Sequence, residues 1–286
     1  MGRSYDTVSF LSDFGSADEF VGVVHSVIRE RARHVTIIDL THHVPRHDIR
    51  AGSLTLARAI QYVASGVVLA IVDPGVGTSR RAVAVEVAGG EGVIIGPDNG
   101  LLGPAVAMAG GAERAVVLSN TELHLAGPGA TFAGRDVFAP VAAHLCNGVD
   151  LAELGDAVDP ALLLPGIVPL PRLEGDTIAA EVLWVDHFGN VQLNVGPEDL
   201  AGWGQHVQLR WRDEVRRANV TTTYGDIGGG IGLVTDSYGL LAIALDRRSA
   251  SDELGLGAGD GVQVVRFDDD EPRSVSTPVA FPTARK

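Results

Sequence analysis

A continuous apolar, β-branched run at residues 67–72 (VVLAIV) ends abruptly at Asp73-Pro74-Gly75. Continuous rather than alternating apolarity marks a strand buried on both faces, as in sheets covered by helices on each side. The Pro-Gly pair stops it. A shorter run at 93–95 ends the same way, in IGPDNGLLGP (95–104). In open α/β sheets ligands bind outside the carboxyl ends of strands. Asp73, and Arg80 farther along VDPGVGTSRR (72–81), therefore leave the core where chemistry is placed.

The flanking sequence fits such a sheet. Residues 7–11 read as a first strand ending at Ser12-Asp13-Phe14-Gly15. A helix follows with Phe20, Val23, Val24, Val27 and Ile28 on one face. Residues 35–40 read as a strand, 51–63 as a helix, 82–87 and 93–95 as strands and 101–108 as a helix. Alternating elements of this kind predict an α/β sandwich with a largely parallel sheet over residues 1–160. Residues 161–176 carry Pro165, Pro169 and Pro171 and read as a linker. Short strand patterns at 178–185, 191–195, 207–211, 240–245 and 262–267, separated by Gly and Asp-Gly turns, predict a small all-β, barrel-like domain over 177–268. Residues 269–286 are polar and read as a disordered tail.

Composition narrows the function classes. The 286 residues are 45% hydrophobic and 20% charged, which suits one large or two ordinary domains. A formal net charge of -14 without a basic stripe counts against nucleic acid as a partner. No apolar run approaches the roughly 20 residues needed to span a bilayer, so no membrane role is expected. The first residues enter a strand pattern with no secretory-leader layout. Cys146 is the only cysteine, so no internal disulfide forms, and the expected compartment is the cytoplasm. Cys146 lies in a helical stretch, PVAAHLCNG, and reads as a buried structural thiol.

Taken singly, the polar candidates each have a plain structural reading. Asp13 sits between a strand and a helix, where a carboxylate either caps the helix or accepts hydrogen bonds from a ribose diol. Asp18 reads first as a cap. His42, His43, His47 and Asp48 cluster in sequence, but their spacing matches no zinc layout. Asp186-His187-Phe188-Gly189-Asn190 interrupts a strand and is either a turn or a stacking face with an amide that reads a base edge. Ser237-Tyr238-Gly239 reads as a hairpin turn.

Their order along the chain is more specific. SDFG (12–15), DPGVGT with Arg80, GPDNGLL, TFAGRDVFAP (131–140), DHFGNVQLN (186–194) and DSYG (236–239) together resemble the S-adenosyl-L-methionine hydroxide adenosyltransferase family. The likeness spans roughly residues 5–268. That family is related to fluorinases and chlorinases that use the same cosubstrate. The resemblance implies hydrolysis of S-adenosyl-L-methionine to adenosine and L-methionine by in-line attack of water on the ribose C5′, with no metal and no cofactor. It implies a catalytic Asp at Asp73 and a catalytic Arg at Arg80. The family's catalytic His falls at Ala133, which can neither bind water nor take a proton. The motif around Ala133 is intact, and the departure implies either a naturally weakened variant or a deliberate replacement of the His that slows turnover and holds a ligand, with His124 or another imidazole as a candidate to fill the gap.

The resemblance also assigns substrate contacts. Asp13 corresponds to the ribose-binding residue, Asp186 and Ser237 to holders of the methionine amino and carboxylate groups, and Phe188 and Asn190 to the adenine pocket, with backbone near Arg247. Phe14, Asp18, Phe132 and Gly134 fall in the same motifs. His47 stands where relatives carry an aromatic residue, and Tyr238 where the fluorinase has an Arg. Family members are homotrimers whose sites form between the N-terminal domain of one subunit and the C-terminal domain of the next. Two other readings stay open. Halide-using relatives carry Tyr at position 73 and lack the Arg, so Asp73 and Arg80 favour water over halide. Ala133 leaves room for a module that binds S-adenosyl-L-methionine or adenosine without turnover. A generic α/β hydrolase is disfavoured because no GxSxG elbow is present.

Overall fold

The computed structural model describes residues 2–267, and the polar segment expected to be disordered (269–286) lies outside them. The chain forms two compact units divided between Val168 and Pro169. Among the described residues no helix is long and apolar enough to cross a membrane.

The first unit opens with β1 (Thr7–Ser12), α1 (Phe20–Arg31), β2 (Thr36–Thr41), α2 (Ile49–Ile60) and β3 (Gly66–Ile71). It continues with β4 (Ala82–Val87), β5 (Gly92–Pro97), α3 (Gly103–Met108), β6 (Arg114–Val117), α4 (Ala139–Cys146) and β7 (Ala157–Val158). The strands order as β2-β1-β3-β5-β4-β6-β7. β3 is buried along its whole length, as its unbroken apolarity requires. Its residues alternate between two cores. Val67, Leu69 and Ile71 pack with Val24, Ile28 and Val141 from α1 and α4. Val68, Ala70 and Val72 pack with Leu56 and Ile60 of α2 and Ala105 and Val106 of α3.

The sheet is mixed where strand alternation pointed to a mostly parallel one. β2, β1, β3 and β5 are parallel. β4, β6 and β7 pair antiparallel. The reason lies in connection length. Parallel neighbours need a crossover of a dozen or so residues, whereas β4 and β5 are joined by a short 3-10 turn that permits only a hairpin. β5 thus slots between β3 and β4, beside the strand that carries Asp73.

Cys146 is fully buried in α4, and burial, with Asp6 nearby, pushes its thiol up to about 12. It is the inert core thiol that its sequence context implied.

The second unit comprises β8 (Arg172–Glu174), β9 (Thr177–Val185), β10 (Val191–Leu193), β11 (His206–Trp211), β12 (Glu214–Thr221), β13 (Ile231–Thr235), β14 (Leu241–Leu245), α5 (Ala250–Leu254) and β15 (Gly261–Arg266). Pairing runs β10-β14-β13-β12-β11-β15-β9, and β9 also pairs with β10, which closes a barrel. Closure removes the exposed sheet edges an open sheet of these strands would leave. β8 already belongs to this sheet, so residues 172–174 are strand rather than linker. β12 and β13 had no sequence signal strong enough to name them. β12 reads EVRRANVT, and its first four residues are exposed, so it lacks an apolar face there.

Candidate active site

The DPGVGTSR loop folds into consecutive tight turns. Val76 N donates to Asp73 O at 3.2 Å, Thr78 N to Gly75 O at 3.1 Å, and Thr78 Oγ1 to the same carbonyl at 2.6 Å. This doubling back brings Arg80 onto Asp73. Arg80 Nε donates to both carboxylate oxygens at 2.9 Å, and Nη2 adds a further bond to Oδ2. A Cβ at Gly75 would stand 3.2 Å from Arg80 Cγ, so glycine leaves room for that side chain to fold back onto Asp73. The Asp73 side chain is 5% exposed and that of Arg80 15%, with the guanidinium over the Phe138 ring at 5.3 Å. A pair this sheltered holds a fixed geometry, unlike a surface ion pair.

Asp73 faces a cavity of about 390 Å³ that also collects Asp13, Phe14, Asp18, His47, Phe132, Ala133 and Gly134. The strand end after β1, the segment before α2, the loop after β3 and the TFAGRD turn before α4 converge here. Phe14, Phe20 and Phe132 form its apolar wall, with ring centroids 5.0 to 6.0 Å apart. Gly134 lets that wall close: a Cβ there would lie 3.1 Å from Phe132 and 3.2 Å from Phe14.

Neither Asp13 nor Asp18 caps α1. The helix N-cap is Glu19, and both Asp13 and Asp18 line the cavity instead. Asp13 Oδ2 accepts a hydrogen bond from His47 N at 2.9 Å. His47 adopts a left-handed backbone, φ 65°, uncommon for a non-glycine residue and held here by that bond. Its neighbour Asp48 caps α2 by accepting from Ala51 N.

The histidines sort differently from their sequence cluster. His42 joins His25 and Asp39, whose ligand atoms lie within 4.8 Å of one another, while His43, His47 and Asp48 do not take part. His42 Nδ1 pairs with Ser12 Oγ at 2.8 Å, and Ser12 Oγ accepts from Phe14 N at 3.3 Å. Gly15 N donates to His42 O at 2.7 Å. His42 thus anchors the Asp13-Phe14-Gly15 turn from behind. Burial raises the Asp39 carboxyl, and contacts with His42 and His25 lower it further than that, below its usual range. Serine, histidine and aspartate stand in a row here, but Ser12 is fully buried and out of reach of any substrate.

His124 does not line the cavity. Its Nε2 is buried and makes no hydrogen bond among the described residues, and burial lowers its pKa. Ala133 therefore presents only a methyl group where the resemblance calls for an imidazole.

The second unit carries its own cavity, about 460 Å³, lined by Phe188, Asn190, Arg247 and Tyr224 among others. Phe188 is 76% exposed and offers an open ring face. Asp186 organises this turn. Its Oδ1 accepts from Phe188 N at 2.9 Å and Asn190 N at 2.8 Å, and its Oδ2 from Asn190 Nδ2 at 2.8 Å. Asp186 is absent from the cavity lining, so in this structure it positions the stacking residues. Asp236 plays the same part in the Ser237-Tyr238 turn, accepting from Tyr238 N and Leu240 N.

Sequence reasoning missed Arg46 in the first cavity and Tyr224 in the second. Burial, with Asp186 and Asp236 nearby, raises the Tyr224 hydroxyl. Neither residue belongs to a recognisable motif; Arg46 had a clue in its place beside His47.

Comparison with known proteins gives the family. The N-terminal domain model described as SAM hydroxide adenosyltransferase matches residues 8–155, and its C-terminal counterpart matches residues 180–263. The chain belongs to the SAM hydroxide adenosyltransferase family. It is 45% identical to a protein of Salinispora tropica named (R)-S-adenosyl-L-methionine hydrolase, across 90% of this chain and 97% of that one. A fluorinase from Actinoplanes sp. is more distant, 29% identical over 91% of this chain and 97% of its own. The solved structure of an uncharacterized conserved protein from Thermotoga maritima superposes with a TM-score of 0.83, at 34% identity, over 91% of this chain and 100% of that one.

Proposed function

We propose that this family member hydrolyses S-adenosyl-L-methionine to adenosine and L-methionine, with water attacking the ribose C5′ in line with the departing sulfonium. The observation that carries the reading is Asp73 in the wall of the first cavity, its carboxylate held by Arg80, which is bonded to it without itself lining the cavity. The leaving group is a neutral thioether and needs no acid. The nucleophile is the difficulty, since bulk water has a pKa near 15.7. The Arg80 guanidinium stabilises developing hydroxide, and Asp73 orients the water and draws on its proton. Fixing that water behind C5′ lowers the barrier further. Asp13 takes the ribose hydroxyls, and Phe188, Asn190 and the Arg247 backbone take the adenine. Asp186 and Ser237 belong to the methionine end of the same reading, Asp186 through the turn it holds.

The reaction in this account uses no metal and no cofactor. The enzyme works as a cytoplasmic homotrimer, with nucleic acid outside its partners. Light scattering on the purified chain checks the trimer. A relative's name specifies the (R) sulfonium epimer, so the assay supplies each epimer separately. Chromatography of the incubated mixture reads adenosine and methionine; absence of both products with both epimers refutes hydrolysis.

Ala133 favours one second reading, a module that binds the ligand and does not turn it over, because the cavity wall has only a methyl there. Ligand retained through purification, with no methionine released over hours, supports that module. A halogenase is disfavoured by Asp73 and Arg80, and 5′-chloro-5′-deoxyadenosine is not expected from incubation with chloride.

A further inference from the structure

The loop that carries Asp73 and Arg80 is gripped at both ends by the GPDNG turn that follows β5. At its start, Asn99 Nδ2 donates to Val72 O at 2.9 Å, one residue before Asp73. The same side chain is fixed in turn, since Asn99 Oδ1 accepts from Leu101 N at 3.1 Å. At its end, Arg81 Nε donates to Asp98 Oδ2 at 2.8 Å, one residue after Arg80. Asp98 N also donates to Arg81 O at 2.9 Å, so the two residues are tied through main chain and side chain together.

Arg80 and Arg81 are consecutive at the entrance to β4, where successive side chains point to opposite faces. Each meets its own carboxylate. The Asp98 side chain is 4% exposed, close to the 5% of Asp73. Asp98 Oδ1 accepts a further bond from Leu164 N at 2.8 Å, and Arg81 Nη2 donates to Leu162 O at 2.6 Å. None of Arg81, Asp98 and Asn99 lines the first cavity. Their bonds converge on the residues flanking Asp73 and Arg80, and a buried, fully bonded carboxylate has one low-energy arrangement. A catalytic constellation needs such support from residues whose own geometry is locked.

We propose that Asp98, Arg81 and Asn99 are positioning residues for the Asp73–Arg80 pair. The proposal rests on the hydrolysis reading above and extends it. They fix the two ends of the loop, so that the pair faces the attacking water at constant geometry. Loosening either end lets the pair drift while the cavity still binds ligand.

The test uses the full chain and the variants Asp98→Asn, Arg81→Gln, Arg81→Lys and Asn99→Ala. Steady-state hydrolysis is measured with adenosine binding by calorimetry. Misplacement by an ångström costs up to about 100-fold, so kcat is expected to fall about 10- to 100-fold in Asp98→Asn and Arg81→Gln. KM and adenosine affinity stay within about threefold, because ground-state binding is untouched. Arg81→Lys keeps the charge and recovers part of the loss. Hydrogen exchange at Arg80 Nε–H, followed by NMR, accelerates about tenfold or more in Asp98→Asn, while the amide of Leu209 in the second unit is unchanged.

A fall in thermal stability with kcat and Arg80 exchange both unchanged overturns the proposal and leaves only a structural brace. If Asp98→Asn does not fold, Arg81→Gln carries the same readouts, its side chain being 35% exposed. If the wild type releases no adenosine, the hydrolysis reading fails, and the Arg80 exchange rate alone decides the positioning claim.

Discussion

Asp73 presents its carboxylate to the cavity while Arg80 Nε holds both of its oxygens at 2.9 Å. Two groups joined this way act as a unit, and their removal is not additive. Asp73→Asn and Arg80→Gln are each expected to lower kcat by about 100-fold or more, and the double variant by little beyond either one. Steady-state rates over this double-mutant cycle check it. Independent, multiplying losses contradict a shared role.

Ala133 lines the same cavity with a methyl group. Ala133→His is expected to raise hydrolysis by about 10- to 100-fold, the lower range of what a placed acid or base supplies. Single-turnover rates on wild type and variant compare the chemical step directly. Equal rates show that an imidazole at this position is dispensable in this chain.

Phe188 offers an open ring in the second cavity and is 76% exposed. Its removal costs little folding energy but deletes a stacking face, which contributes about 1–3 kcal/mol per base. Phe188→Ala is expected to weaken adenosine binding about 5- to 150-fold with the unfolding midpoint nearly unchanged. Calorimetry with adenosine gives the number. Unchanged affinity removes Phe188 from the base pocket.

His124 and His144 set a pH dependence of stability. Burial lowers both pKa values, and for His144 the Arg31 charge adds to it. In the unfolded chain each titrates near about 6.5. As pH falls below that point the unfolded state takes up protons first, so stability drops from about pH 6.5 toward the lower folded values. Asp39 and Asp150 have lowered carboxyl pKa values, and the stability they contribute is lost only at more acidic pH, outside this window. Urea midpoints at pH 7.5 and 5.5 are expected to diverge in the wild type and less in a His124→Gln, His144→Gln double variant. Identical slopes with pH contradict the assignment.

Much of this was legible in the sequence because local pattern and tertiary demand agreed. An unbroken apolar stretch such as 67–72 has few ways to be satisfied, and it became the strand buried on both faces. Asp73, Arg80 and the TFAGRD turn were visible as motifs at strand and helix ends. Contacts between distant residues were not. His42 lies five residues from His47 yet pairs with Ser12, thirty residues away, because the parallel pairing of β1 with β2 brings their ends together. Asp13 reads equally as a helix cap or a ribose ligand from its place before a helix, and the cap reading fails because α1 starts at Phe20 with Glu19 as its N-cap. Tyr224 and Arg46 carried no pattern, and β12 was hidden by its charges.

The attack of a water oxygen on the sugar carbon is tested most directly by isotope. Incubation of S-adenosyl-L-methionine with the chain in H₂¹⁸O, followed by mass spectrometry, is predicted to place one ¹⁸O on the adenosine 5′-hydroxyl and none on methionine. Label on methionine, or cleavage that yields a product other than adenosine, contradicts the mechanism.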